Sequence, residues 1–222
     1  GLALLAVVLP IGLFHLLYYR KHVNQKAAWQ AIYSHPDLVL TIAGKGVLWG
    51  LLLSLLMLYP SLSETLTGIQ QPLAIFLMLC FVLLGLAIGM SVAQRMSSYH
   101  IETGLIPIGA IGVMSGILLL SWVSSAPLQI ILLIGLGIAA GLFVVPLHAL
   151  MRYHTTPEQI EHALPIDRLI QSSIMLLFIS LLVLLAASGL GQTALITLLK
   201  VAAIAGAIYT IWHLPQSLLR FV

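Results

Sequence analysis

Charge is what this sequence has least of. Only 7% of its 222 residues are Asp, Glu, Lys or Arg. A soluble domain carries roughly a quarter, because its surface has to be wetted. A water-facing exterior is therefore excluded, and lipid is the solvent that the composition demands. Cysteine is almost missing as well. Cys80 stands alone, so no internal disulfide and no cysteine-based metal motif can form. Inside its apolar run it reads as a packing residue. The net charge of +3 is small and gives no ground for a nucleic-acid partner. In such a chain the placement of charges matters more than their sum. Regular polar-apolar alternation is also lacking, which excludes a transmembrane barrel and leaves helices as the spanning elements. No set of nucleophile, base and oxyanion donors is visible. The chain is accordingly expected to be no enzyme, and no cofactor or metal is called for.

What is present is a series of seven apolar runs, at roughly 1–19, 38–59, 72–93, 104–123, 127–150, 169–189 and 193–213. Each approaches the roughly 20 residues needed to cross a bilayer. The breaks between them carry turn chemistry, as in Ser34-His-Pro-Asp37, Tyr59-Pro-Ser-Leu-Ser63, Thr155-Thr-Pro157 and Ser188-Gly-Leu-Gly191. The expected fold class is all-α: a polytopic membrane helical bundle of seven transmembrane helices.

The cations set its orientation. Arg20, Lys21, Lys26, Arg95, Arg152, Arg168 and Arg220 fall in the breaks 20–37, 94–103, 151–168 and 214–222. The breaks at 60–71, 124–126 and 190–192 hold no Lys or Arg. By the positive-inside rule the first set is cytoplasmic, so the segment starts outside and ends in the cytoplasm. The chain opens on Gly-Leu-Ala-Leu-Leu, without Met, and its first cations follow the first run. A signal peptide has the reverse order, so the sequence is expected to begin partway into a longer protein.

Glycines recur one helical turn apart at Gly46/Gly50, Gly85/Gly89, Gly112/Gly116 and Gly137/Gly141. Such pairs let helix backbones approach closely, which matters where lipid supplies no hydrophobic drive between helices. Four such pairs, all within spans, suggest a tight multi-helix bundle; general glycine enrichment in membrane helices is the alternative.

A few polar residues interrupt the runs. Lys45 and Lys200 are the only Lys or Arg residues inside them. Thr41, Lys45 and Trp49 are spaced i, i+4 and i+8 and share one helical stripe. Lys45 either faces protein or water as a functional ammonium or snorkels to the cytosolic end, about 12 Å away. Lys200 lies about 10 Å from the outer end and reads as a snorkelling residue. Asp167, following Pro165, reads as an N-terminal cap, with Arg168 beside it and Gln171 one turn deeper. No carboxylate is expected to be buried within a span, so coupling to protons through one has no candidate. His148, His154, Glu158, Glu161 and His162 include i, i+4 spacings suited to a metal. Pro157 breaks any helix through His154, however, and the group reads as a solvated loop. His15 and His213, near span ends, read as local hydrogen-bonding or headgroup residues.

Several stretches resemble a known family. Gly85-Leu-Ala-Ile-Gly-Met-Ser-Val-Ala-Gln-Arg-Met-Ser97 resembles the glycine-rich, Arg-bearing turn of major facilitator superfamily transporters, in its second-half copy. Ile101-Glu-Thr-Gly-Leu-Ile-Pro-Ile-Gly-Ala-Ile-Gly112 and Gly141-Leu-Phe-Val-Val-Pro-Leu-His-Ala-Leu-Met151 resemble elements of its lysophospholipid transporters. These occur alone or fused to acyl-glycerophosphoethanolamine acyltransferase. Leu214-Pro-Gln-Ser-Leu-Leu-Arg-Phe221 is similar to the segment leading into the acyltransferase in the fusions. The likeness covers about residues 36–222.

The resemblance implies the last helix of an N-terminal half (1–19), a cytosolic linker (20–37), a C-terminal six-helix bundle (38–214) and an exit segment (215–222). It also implies an inner-membrane protein that moves lysophospholipid by alternating access. Its partners would be membrane lipid, the missing N-terminal half and a possible fused acyltransferase. Lys45, with Thr41, Trp49 and Gln171, would line the cavity and meet the lipid phosphate. Gly85, Gly89, Arg95 and Glu102 would form a gating turn, with Arg95 either a lock between halves or a lipid-facing anchor. The chain departs from the family pattern at Gln94, where an acid is usual, at His148, where Asn is usual, and at Asp167, Arg168 and Gln171. These departures keep two alternatives open: a facilitator for another small solute, or a non-transporting anchor for a fused acyltransferase.

Overall fold

The computed structural model describes residues 36–67, 71–96, 104–153 and 157–213. The run at 1–19, almost all of the linker at 20–37, Glu102, His154 and the exit segment 215–222 lie outside the described residues. Every described element is a helix. In chain order they are α1 (Pro36–Thr67), α2 (Gln71–Met96), α3 (Leu105–Leu120), α4 (Ala126–Tyr153), α5 (Pro157–Ala187) and α6 (Gln192–His213). They coincide with six of the seven apolar runs. Five contain stretches long and apolar enough to cross a membrane: Thr41–Pro60, Pro72–Met96, Ala126–Arg152, Leu164–Ala187 and Gln192–Trp212. At 16 residues α3 is apolar but shorter, about 24 Å by helical rise.

Two boundaries differ from the sequence reading. α1 runs on to Thr67 with Pro60 inside it, so Tyr59–Ser63, expected to be a turn, is helical. The start of α5 differs by three turns. α5 begins at Pro157, well before the apolar run at 169. Proline suits a first helical position, where its missing N–H would be unpaired in any case. The polar stretch that follows remains helical because a helix satisfies its own backbone whatever its side chains are. Pro165 lies inside this helix. Asp167 is consequently the eleventh residue of a helix and not its cap.

The helix ends follow local chemistry. At the close of α5, Ser188 and Gly189 donate backbone bonds to the carbonyls of Leu184 and Ala186 at 3.0 and 3.2 Å. Gly189 has φ +88°, the left-handed conformation that glycine adopts without a steric penalty. The chain then turns into α6, where Ala194 and Leu195 donate to the carbonyl of Gly191.

The chain forms two compact units. One holds residues up to Leu53, together with His148–Gly189. In it α1 meets α5: a Cβ on Gly46 would strike Ile174, and one on Gly50 would strike Phe178. Ile42 and Ile166 are buried together, with Ile170 packed against them.

The other unit holds Ser54–Leu147 and the residues from Leu190 on. There α2 and α4 approach backbone to backbone. Gly85 and Gly89 face the backbone of Ile134 and Ile138, while Gly137 and Gly141 face that of Val82, Leu86, Gly89 and Met90. Gly109, Gly112 and Gly116 of α3 pack against Phe143, Ala139 and Leu136 of α4, and α3 also packs against α6. The glycine pairs thus mark helix contacts, as small residues do where backbones must come close.

Large apolar side chains point outward. Phe76 is 62% exposed, Leu177 62% and Leu184 68%. A water-facing surface does not carry so many; hydrocarbon accepts them at no cost.

Candidate functional site

The first unit holds a buried charge cluster drawn from three helices. Lys45 of α1 is completely buried, and Asp167 of α5 is 3% exposed. Their Nζ and Oδ2 atoms are 2.8 Å apart. Two isolated charges at such sites would be costly; paired and hydrogen-bonded, they are held. Both lie about one helical turn inside their apolar stretches, Thr41–Pro60 and Leu164–Ala187.

The remaining bonds complete the cluster. Gln171, one turn along α5, donates Nε2–H to Asp167 Oδ1 at 2.7 Å. Each carboxylate oxygen therefore has its own donor. The ammonium has three N–H bonds and three acceptors in range: Asp167 Oδ2, His148 Nδ1 at 3.4 Å and Met151 Sδ at 3.8 Å. His148 accepts when its proton is on Nε2. His148 and Met151 both belong to α4 and lie near its C-terminal end. Thr41, one turn before Lys45, is buried as well. His148 itself is exposed, so the cluster has one member at the surface beside a lysine that has no exposure.

This arrangement shows that Lys45 does not snorkel: it is held by an acid from another helix. It also corrects two expectations about Asp167. The residue is an ion-pair partner and not a cap, and a carboxylate is buried in an apolar helix after all. Both errors share one cause. Taking the helix to start after Pro165 placed Asp167 at its mouth, whereas α5 starts eight residues before that proline. A partial signal was available: a lysine inside a span of so uncharged a chain calls for an anion, and the chain holds only six acids, Asp167 among them.

The other expected site residues divide. Thr41 and Gln171 belong to the cluster or its immediate stripe. Trp49 is half-buried on the same helix, and no polar bond places it in the cluster. Gly85 and Gly89 serve the crossing of α2 with α4. Arg95 is exposed in the last turn of α2. Lys200 places its Nζ 5.9 Å from the ring centroid of Trp122, a cation–π distance.

A second polar group, in the other unit, was not expected from the sequence. Tyr59 donates its hydroxyl to Gln129 Oε1 at 3.0 Å, and Gln129 Nε2 donates to the carbonyl of Val123 at 2.8 Å. Gln129 is 1% exposed. It ties α1 to the loop before α4, satisfying a carbonyl outside any helix. Among the described residues no three His, Cys, Asp or Glu side chains are grouped to hold a metal.

No family model, curated protein or solved structure matches the chain.

Proposed function

We propose that this chain is the membrane-embedded part of a transporter, and that its cargo is a lysophospholipid. The observation that carries the reading is the Lys45–Asp167–Gln171 cluster inside apolar helices. Ionisable residues are expensive in such helices, and where they persist they mark substrate or ion paths. The motif resemblance to the C-terminal half of lysophospholipid facilitators supplies the cargo class. In that arrangement α1 and α5 line a cavity near the cytosolic face of the inner membrane, and Lys45 meets the lipid phosphate. The acyl chain stays among apolar side chains. Access alternates as two helical halves rock about the site.

The test is a leaflet assay on the full chain, with labelled lysophospholipid in inside-out vesicles. Transfer should occur with the wild type and fall at least about tenfold with Lys45→Ala, the scale of losing one charge-assisted contact to phosphate. Transfer that is absent in the wild type, or unchanged in the variant, removes the reading. Orientation is tested by cysteine tags at the two ends, which should label from opposite sides.

A further inference from the structure

We infer that the α3–α6 face of the second unit binds a phospholipid phosphate through Lys200 and Trp122, and so holds the headgroup layer well inward of the first residues of α6. The bilayer is then thinner along this face than along α2. The inference needs only that these helices cross a membrane; it does not depend on the cargo proposed above.

The ligand follows from what the pair lacks. Lys200 of α6 is half-buried, and its ammonium lies over the ring of Trp122, which follows α3 and is 76% exposed. Among the described residues no carboxylate pairs with Lys200 and no acceptor meets the indole N–H of Trp122. A ring face relieves a cation only in part, and hydrocarbon supplies no acceptor at all. Two such donors side by side on an exposed, apolar-flanked surface call for an anion with more than one oxygen. A phosphodiester has two free oxygens. It lies at the headgroup level, where lysine and tryptophan side chains gather.

The level follows from the exposed residues on either side of the pair. On α6 these are Gln192, Thr193, Ala194 and Thr197 toward its start, then Leu198, Val201 and Ile208. On the other helix Leu119 is exposed before Trp122, and Ser124 and Ser125 are exposed after it. α3 and α6 pack together, so both helices change from apolar to polar at one place. That place is the Lys200–Trp122 pair, and Lys200 lies about 12 Å along α6 from Gln192. The first two turns of α6 therefore stand among headgroups.

The thickness difference is then a matter of lengths. Exposed apolar residues run from Leu198 to Ile211 on α6, about 20 Å, and from Leu73 to Val92 on α2, about 29 Å. Tilt does not reconcile the two. It would have to lean α2 by about 47°, beyond the range of roughly 0–40° that membrane helices adopt. At about 24 Å, α3 is likewise short of a hydrocarbon layer of about 30 Å. A short apolar stretch thins the bilayer around it. Trp212, 80% exposed, marks the opposite edge of the same band.

The experiment has two arms, both on the full chain. In the first, single spin labels are read in nanodiscs of diacyl phosphatidylglycerol, with Cys80→Ser as background. Thr197 and Phe76 lie equally far into α6 and α2, and both are exposed. The label on Thr197→Cys should be reached by a water-soluble nickel chelate, and the label on Phe76→Cys by oxygen alone. A label at position 197 as shielded as the one at position 76 overturns the inference.

In the second arm, phosphatidylglycerol with brominated acyl chains is titrated into the protein in detergent. The quenching of Trp122 is read as the difference between wild type and Trp122→Phe. Lys200→Gln should raise the half-quenching concentration at least about tenfold, and Lys200→Arg, which keeps the cation, should not. Equal values for wild type and Lys200→Gln overturn the inference. Excess inorganic phosphate should leave the quenching in place; displacement by it would make this a site for a soluble anion and overturn the lipid assignment.

Discussion

Removing the cation from the buried pair is the most informative perturbation of this fold. At 2.8 Å and an effective dielectric of about 20, the two charges attract by about 6 kcal/mol. Most of that is offset by the cost of taking both ions out of water. Lys45→Met removes the attraction but not the burial of Asp167. The carboxylate keeps the Gln171 amide on Oδ1 and has nothing on Oδ2. Breaking a buried pair in this way costs about 3–5 kcal/mol. A chain of this size loses about 2–4 °C of Tm per kcal/mol, so the midpoint should fall by about 6–20 °C.

The informative control adds Asp167→Asn. Asparagine retains an Oδ1 acceptor for Gln171 and carries no charge, while methionine fills the volume of the lysine stem. This double variant should recover to within about 1.5 kcal/mol of wild type, because a neutral, well-packed replacement for an ion pair is often close to neutral in energy. The assay is thermal unfolding of the purified protein in detergent, followed by monodisperse elution after heating. A single variant as stable as wild type refutes the reasoning. So does a double variant that loses the sum of the two single losses.

Three further outcomes test the packing. Gly85→Ala directs a methyl group at the backbone carbonyl of Ile134, which cannot rotate away; it should cost about 2–3 kcal/mol or more. Gly135→Ala, on the facing helix with open space at its Cβ, should instead gain up to about 1 kcal/mol through helix propensity, and equal effects at the two sites would show that close approach is not the cause. Tyr59→Phe leaves Gln129 Oε1 without its buried donor and should cost about 1–2 kcal/mol in the same melt. Cys80, expected from the sequence to be a packing residue, is instead exposed on α2; it should react in intact membranes with a small apolar maleimide and not with a charged one, and labelling by the charged reagent would mean that this face meets water.

Much of the architecture was legible because hydrocarbon imposes a simple rule. Every backbone polar group in it must be paired internally. Long apolar runs can satisfy that rule only as helices, so their number and approximate limits follow from composition alone. Gly85/Gly89 and Gly137/Gly141 announced a close crossing for a related reason, since only the absence of a side chain permits it. The spacing did not say that these two pairs meet each other. Partner choice depends on which faces the connecting loops bring together.

The charge cluster shows the same division. Sequence alone determined that Lys45 lies within an apolar helix, and left open whether its ammonium faces protein or snorkels to the headgroups. It could not name Asp167, 122 positions away, because a hydropathy run marks where apolar side chains begin and not where a helix begins. Tertiary structure decided the pairing by laying α5 against Gly46 and Gly50 of α1. That contact brings the one acid of its apolar stretch beside the one cation of the other. Local pattern sets which elements form, since it acts through bonds within a few residues; electrostatic partnership is settled by distance in space, which only the packed chain fixes.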